Sequence, residues 1–83
     1  MFYAYILSLS SGKLYSGYTG DLKRRYGEHK NGKDKFTRKF CPLKLIYYEA
    51  FISEKDARKR ERYFKTTKGK ATLRAMLKDT LIE

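Results

Sequence analysis

The stretch Phe2-Tyr3-Ala4-Tyr5-Ile6-Leu7-Ser8-Leu9 constrains this chain more than any other. It is aromatic or branched at almost every position, so as a β-strand it is apolar on both alternating faces. Such a strand belongs in the middle of a sheet. The run is too short to cross a bilayer and no basic residues precede it, so neither a membrane span nor a secretory leader is expected of it. The expected location is cytoplasmic, with no membrane partner.

The segments that follow supply the neighbours of that strand. Ser10-Ser11-Gly12 forms a turn and Lys13 to Thr19 a second strand, giving an antiparallel hairpin. A turn centred near Ser11 puts odd-numbered residues of both strands on one face, Tyr5 and Tyr15 among them, unless a bulge at Gly12 or Gly17 breaks the parity. Asp21 is a helix N-cap, Leu22, Arg25, Tyr26 and His29 share one helical face, and Asn31-Gly32 ends the helix. Residues 32 to 42 are polar and basic and form a loop carrying Phe36 and Phe40. Leu43 to Phe51 is a third strand. Ser53 with Asp56 resembles a capping box ahead of a helix whose face carries Ala57, Arg60, Glu61 and Phe64. Lys68-Gly69 interrupts, and Leu73, Met76 and Leu77 mark a last helix. Residues 79 to 83 are expected to fray. The expectation is a single α+β domain over residues 1–83, a small three-stranded antiparallel sheet flanked by helices in the order β-β-α-β-α-α.

Charge bears on the partner. Twenty Lys and Arg against nine Asp and Glu give a formal net charge of +11 on 83 residues. A field of that sign on so small a surface attracts polyanions, with nucleic acid first among them. The cations are spread along the chain, unlike the one amphipathic segment of a surface-lying membrane helix. The single cysteine, Cys41, excludes an intramolecular disulfide and a thiolate zinc site.

Two places break the amphipathic pattern. Arg25 and His29 lie among Leu22 and Tyr26, and Glu61 lies between Ala57 and Phe64. A charge at the margin of a core is costly unless it is paired or used. An Arg25–Glu61 ion pair joining two helices is one reading. The other is chemical: two phenols on one sheet face, a guanidinium, an imidazole and a carboxylate are the parts that phosphodiester hydrolysis needs. A single carboxylate suffices for magnesium, which commonly takes the rest of its shell from water and phosphate oxygens.

These residues fall in a recognisable order. Tyr3-Ala4-Tyr5-Ile6-Leu7, Leu14-Tyr15-Ser16-Gly17-Tyr18-Thr19, Asp21-Leu22-Lys23-Arg24-Arg25 and Glu28-His29 together resemble the GIY-YIG nuclease domain. More narrowly, they are similar to short stand-alone bacterial members related to the N-terminal domain of the excision-repair nuclease. The segments from Pro42 to Glu49, from Ala57 to Lys65 and from Lys68 to Leu73 continue the likeness over nearly the whole chain. The first motif departs from the family pattern, with Ala4-Tyr5-Ile6 for Gly-Ile-Tyr, and the second has Ser16 for Ile.

The resemblance implies catalytic roles for Tyr5, Tyr15, Arg25, His29 and Glu61, with Glu61 as the ligand of one divalent cation, Mg²⁺ or Mn²⁺, and Gly17 as a structural motif residue. It implies a metal-dependent endonuclease acting on DNA, structure-selective or weakly sequence-specific, in repair or recombination. The alternative is a nucleic-acid-binding module with weak or lost activity. Lys33, Lys35, Arg38 and Lys39 are expected to contact phosphates. Branched, nicked or single-stranded DNA is the expected partner of a monomer that uses no small-molecule cofactor. Tyr15 is preferred over Tyr5 for activating water. An ordinary phenol, with a pKa of about 10, then needs Arg25 or the metal to lower it, or else forms its phenolate only transiently.

Overall fold

In a computed structural model that describes residues 1–82, the chain forms β1 (Phe2–Ser8), β2 (Leu14–Thr19), α1 (Leu22–Lys30), a short 3-10 turn (Thr37–Phe40), β3 (Lys44–Phe51), α2 (Glu54–Phe64), α3 (Thr67–Met76) and a terminal helical turn, α4 (Lys78–Leu81). The sheet is antiparallel with the order β2-β1-β3, so the strand that is apolar on both faces is the central one. The α+β expectation holds, with α4 as an addition. Among the described residues no helix is long and apolar enough to cross a membrane. The expected fraying over 79 to 83 falls partly on α4, and Glu83 lies outside the described residues.

The hairpin register pairs Tyr3 with Thr19, Tyr5 with Gly17 and Leu7 with Tyr15. These pairs centre on Ser11, so Tyr5 and Tyr15 share a face. Gly12 turns the chain at φ +87°, a conformation that excludes most side chains. No bulge interrupts β1–β2. The one irregularity lies across β1–β3, between Ile6 and Leu7.

One face of the sheet buries Tyr5, Leu7 and Leu9 with Leu43, and the α1 residues Leu22 and Tyr26 pack on them. The other buries Ile6 with Phe64, Leu73 and Leu77 from the C-terminal helices. Met76, expected on the apolar stripe, is exposed. Arg60 stays beside the core because Glu49 on β3 accepts from Nε at 2.8 Å and from Nη2 at 3.1 Å, while its guanidinium covers the Phe64 ring.

Three local expectations need correction. Ser53 occupies the N-cap position of α2, but its side chain caps nothing. The first turn of α2 instead carries Glu54 and Asp56, which suit the positive end of the helix dipole. The break before α3 falls at Lys65–Thr66, not at Lys68-Gly69: Thr66 caps α3 by accepting from the Gly69 N–H at 3.0 Å. Gly69 lies inside α3 because α2 passes so close that a Cβ there would stand 1.9 Å from the Tyr63 carbonyl oxygen. The loop from 32 to 42 is not wholly irregular, since it holds the 3-10 turn.

Candidate functional site

The α1 helix begins where Asp21 accepts the Arg24 N–H at 3.1 Å. It ends where the Gly32 N–H reaches the His29 carbonyl and the Lys33 N–H the Glu28 carbonyl, the paired bonds of a Schellman stop. Between these ends, Arg25 and His29 turn toward the sheet face that carries Tyr5 and Tyr15. The Tyr5 hydroxyl lies 2.9 Å from Nε2 of His29. Both residues are almost wholly excluded from solvent. The His29 ring also stands edge-on to Tyr15, with centroids 5.7 Å apart.

Gly17 has a steric purpose. It lies opposite Tyr5, whose ring crosses it so closely that any larger residue would collide. The phenol reaches His29 over a strand surface that has no side chain at that point.

Arg25 is held by two carboxylates. Nη1 donates to Glu28 at 2.9 Å and Nη2 to Asp34 at 2.7 Å. Burial alone would lower the Arg25 pKa, but these two partners raise it, so its charge is permanent. The Arg25–Glu61 pair considered from the sequence is absent among the described ion pairs.

Glu61 approaches from the other side of the sheet. Ser16, on the face opposite Tyr15, donates to the Glu61 carbonyl at 3.0 Å. The Glu61 carboxylate pairs with Lys65 at 2.6 Å, and the Lys65 ammonium lies 5.9 Å from the centre of the Tyr15 ring. Because β2 is an edge strand, α2 reaches Tyr15 around that edge. Tyr15, Arg25, His29 and Tyr5 therefore gather on one face, and Glu61 stands at its rim.

Two residues escaped the sequence reading. Asp34 and Thr37 lie in the loop read there for its cations and its two phenylalanines. Thr37 Oγ1 is 2.8 Å from Nδ1 of His29 and donates to Asp34 at 3.2 Å. Asp34 also accepts the N–H groups of Phe36 and Thr37. An aspartate three residues ahead of a threonine is a local capping signature, and that signal was present in the sequence. What the turn would dock against was not. Lys33, Lys35, Arg38 and Lys39 point outward from this same segment and are exposed.

The electrostatics run against a free phenolate. Burial pushes Tyr5 up to about 12 despite the nearby Arg25 charge. Burial raises Tyr15 too, and the charge of Asp34 adds to it while Lys65 and Arg25 oppose it. Of the two alternatives left by the sequence, Arg25 alone does not lower either phenol. Burial and the Arg25 charge lower His29, keeping it neutral at pH 7. Burial would raise Asp34, but the Thr37 amide and Arg25 outweigh it and hold the carboxyl at about 2.

A groove of about 530 Å³ opens beside Tyr15, lined also by Lys13, Phe36, Phe40, Lys65 and Lys70. Phe36 stacks on Tyr15, with ring centres 5.6 Å apart. A hollow of similar size on the other flank of α1, between Tyr3, Tyr26 and Tyr48, holds none of the candidate residues.

For a metal, the donor set is spare. Among the described residues no three His, Cys, Asp or Glu side chains cluster as ligands. Both nitrogens of His29 are engaged, and Glu28 and Asp34 are turned to Arg25. Glu61, whose carboxylate pairs with the groove-lining Lys65, is the one hard oxygen donor next to the groove. That fits Mg²⁺ or Mn²⁺ carried mainly by water and phosphate oxygens, and it does not fit zinc.

Comparison with known proteins identifies the family of the fold. Residues 1–74 match the family described as the GIY-YIG catalytic domain. A UPF0213 protein of Streptococcus agalactiae serotype V is 47% identical over 72 residues, covering 86% of this chain and 82% of the relative. One from Streptococcus pyogenes serotype M5 is 43% identical over 70 residues, covering 83% and 76%. The solution NMR structure of a UPF0213 protein from Bacillus halodurans superposes with a TM-score of 0.58 at 36% identity, covering 92% of this chain and 85% of that one.

Proposed function

This chain belongs to the GIY-YIG family, and on that premise we propose that it is an endonuclease that hydrolyses DNA phosphodiester bonds with one divalent cation. The observation that supports this most is the place of Tyr15 at the β2 edge, close enough to feel the charges of both Arg25 and Glu61, beside a groove that it lines with Lys13, Lys65 and Lys70. Arg25 neutralises charge that builds on the scissile phosphate, a role suited to a fixed, permanently charged fork. The Tyr15 hydroxyl accepts a hydrogen bond from the attacking water and orients it. Tyr5 and His29 form the buried floor beneath. Glu61 holds the cation, which when bound makes the water more acidic and the phosphorus more electrophilic.

The cationic groove and the exposed Lys33, Lys35, Arg38 and Lys39 bind the backbone without reading bases. Contacts of this kind favour selection by DNA structure, at nicks, flaps or branches, over selection by sequence.

The test is cleavage of plasmid and branched DNA with Mg²⁺ or Mn²⁺. Arg25→Ala and Glu61→Ala should each slow it by on the order of a hundredfold or more. Parental rates in both variants overturn the assignment. A second reading, a binding module without activity, draws on Arg25 being already paired with Glu28 and Asp34. A gel shift that persists in EDTA with no cleavage under either metal would favour it.

A further inference from the structure

We propose that Asp34 and Thr37 are positioning residues for this site: one turn of chain that fixes the tautomer of His29 and the direction of Arg25 together. The proposal rests on the nuclease reading for its purpose but on contacts alone for its content. The Thr37 hydroxyl meets Nδ1 of His29 at 2.8 Å and Asp34 Oδ2 at 3.2 Å. A hydroxyl has one proton. The Asp34 carboxylate, ionised at neutral pH, has none to give, so Thr37 must donate to it. Thr37 therefore accepts from His29, and Nδ1 carries the imidazole proton. Nε2 is then the acceptor, and the Tyr5 hydroxyl donates to it. A single carboxylate thus orders every proton along the line from Asp34 through Thr37 and His29 to Tyr5.

The other oxygen of Asp34 accepts from Arg25 at 2.7 Å. With Glu28 on Nη1, the guanidinium is gripped on two sides and its plane is set. Asp34 can do this because the amides of Phe36 and Thr37 hold its Oδ2. The Schellman stop at Gly32 brings the turn back against α1. Thr37 is fully buried while Lys33, Lys35, Arg38 and Lys39 around it are exposed, so the segment has a structural inner face and a cationic outer one.

His29 is the only histidine in the chain, so its ring nitrogens give unambiguous NMR signals. In the parent protein near pH 7, the ¹⁵N spectrum should show Nδ1 protonated and Nε2 as acceptor. Thr37→Ser should keep that pattern. Thr37→Val should lose it, with the amide spectrum of β1 and β2 as the control for folding. Asp34→Asn should let the slowed Arg25 guanidinium protons exchange faster. It should also lower kcat by roughly ten- to a hundredfold with KM unchanged, as a misplaced group does. An Nε2-protonated His29 in the parent overturns the proposal, as does an unchanged tautomer in folded Thr37→Val or unchanged Arg25 exchange in Asp34→Asn. If Thr37→Val does not fold, the parent and Thr37→Ser spectra decide. A parent that cuts no DNA sinks the nuclease reading alone, because the spectra need no turnover.

Discussion

The ring of Tyr5 lies across Gly17 so closely that a Cβ on Gly17 would stand 2.3 Å from the Tyr5 Cζ. The two residues face each other directly across paired strands, with no flexible chain end to yield. Gly17→Ala must therefore displace the phenol from His29 or part the strands. The expected cost is about 1–3 kcal/mol, the usual range for overpacking, read as a fall in the urea midpoint at constant m-value. The same variant should lose the Tyr5–His29 hydrogen bond, visible as a change in the His29 ring signals.

The two phenols should separate under the same substitution. Tyr5→Phe leaves the buried Nε2 of His29 without its donor, at a cost of about 1–3 kcal/mol. Tyr15→Phe removes a hydroxyl with no described hydrogen-bond partner, so stability should move by no more than about 0.5 kcal/mol. Its effect belongs to the rate, with a loss of about a hundredfold if the hydroxyl orients water. Denaturation and cleavage measured side by side check both. A Tyr15→Phe protein that cuts at the parental rate removes that residue from the mechanism.

Acid should weaken the fold in two windows of the same sign. His29 is depressed below its ordinary 6.5, so the unfolded chain binds the proton first. The stability it contributes is complete above pH 6.5 and falls as the pH drops toward its folded value. Asp34 is lowered from 3.8 to about 2. Its contribution is present above pH 3.8 and is lost between there and about 2. Denaturant midpoints across pH should show both declines. His29→Gln should flatten the upper one and Asp34→Asn the lower.

The cationic groove can be weighed against the outer loop by salt. Every phosphate left without its cation should reduce the slope of log K against log salt by roughly 0.9 on duplex DNA. Lys70→Ala, beside Tyr15 in the groove, should lower the slope by about that amount. Lys35→Ala tests the loop in the same titration. Binding read in EDTA keeps the comparison free of cleavage.

Much of this protein was fixed by short-range pattern. The doubly apolar run made β1 central, the turn at Ser11 set the parity that joins Tyr5 to Tyr15, and Asp21 began α1 in the phase that brings Arg25 and His29 to one face. These depend on residues a few places apart, whose geometry is imposed by backbone periods and caps. The tertiary structure alone decided the rest. It carried Glu61 around the β2 edge, laid Tyr5 over Gly17, and docked Asp34 and Thr37 beneath α1. Burial, a property of the assembled core, raised both phenols against the pull of Arg25. Pairings such as Tyr5 with His29 span 24 positions, and which partners meet over such distances is set by packing on both faces of the sheet, which no local spacing encodes.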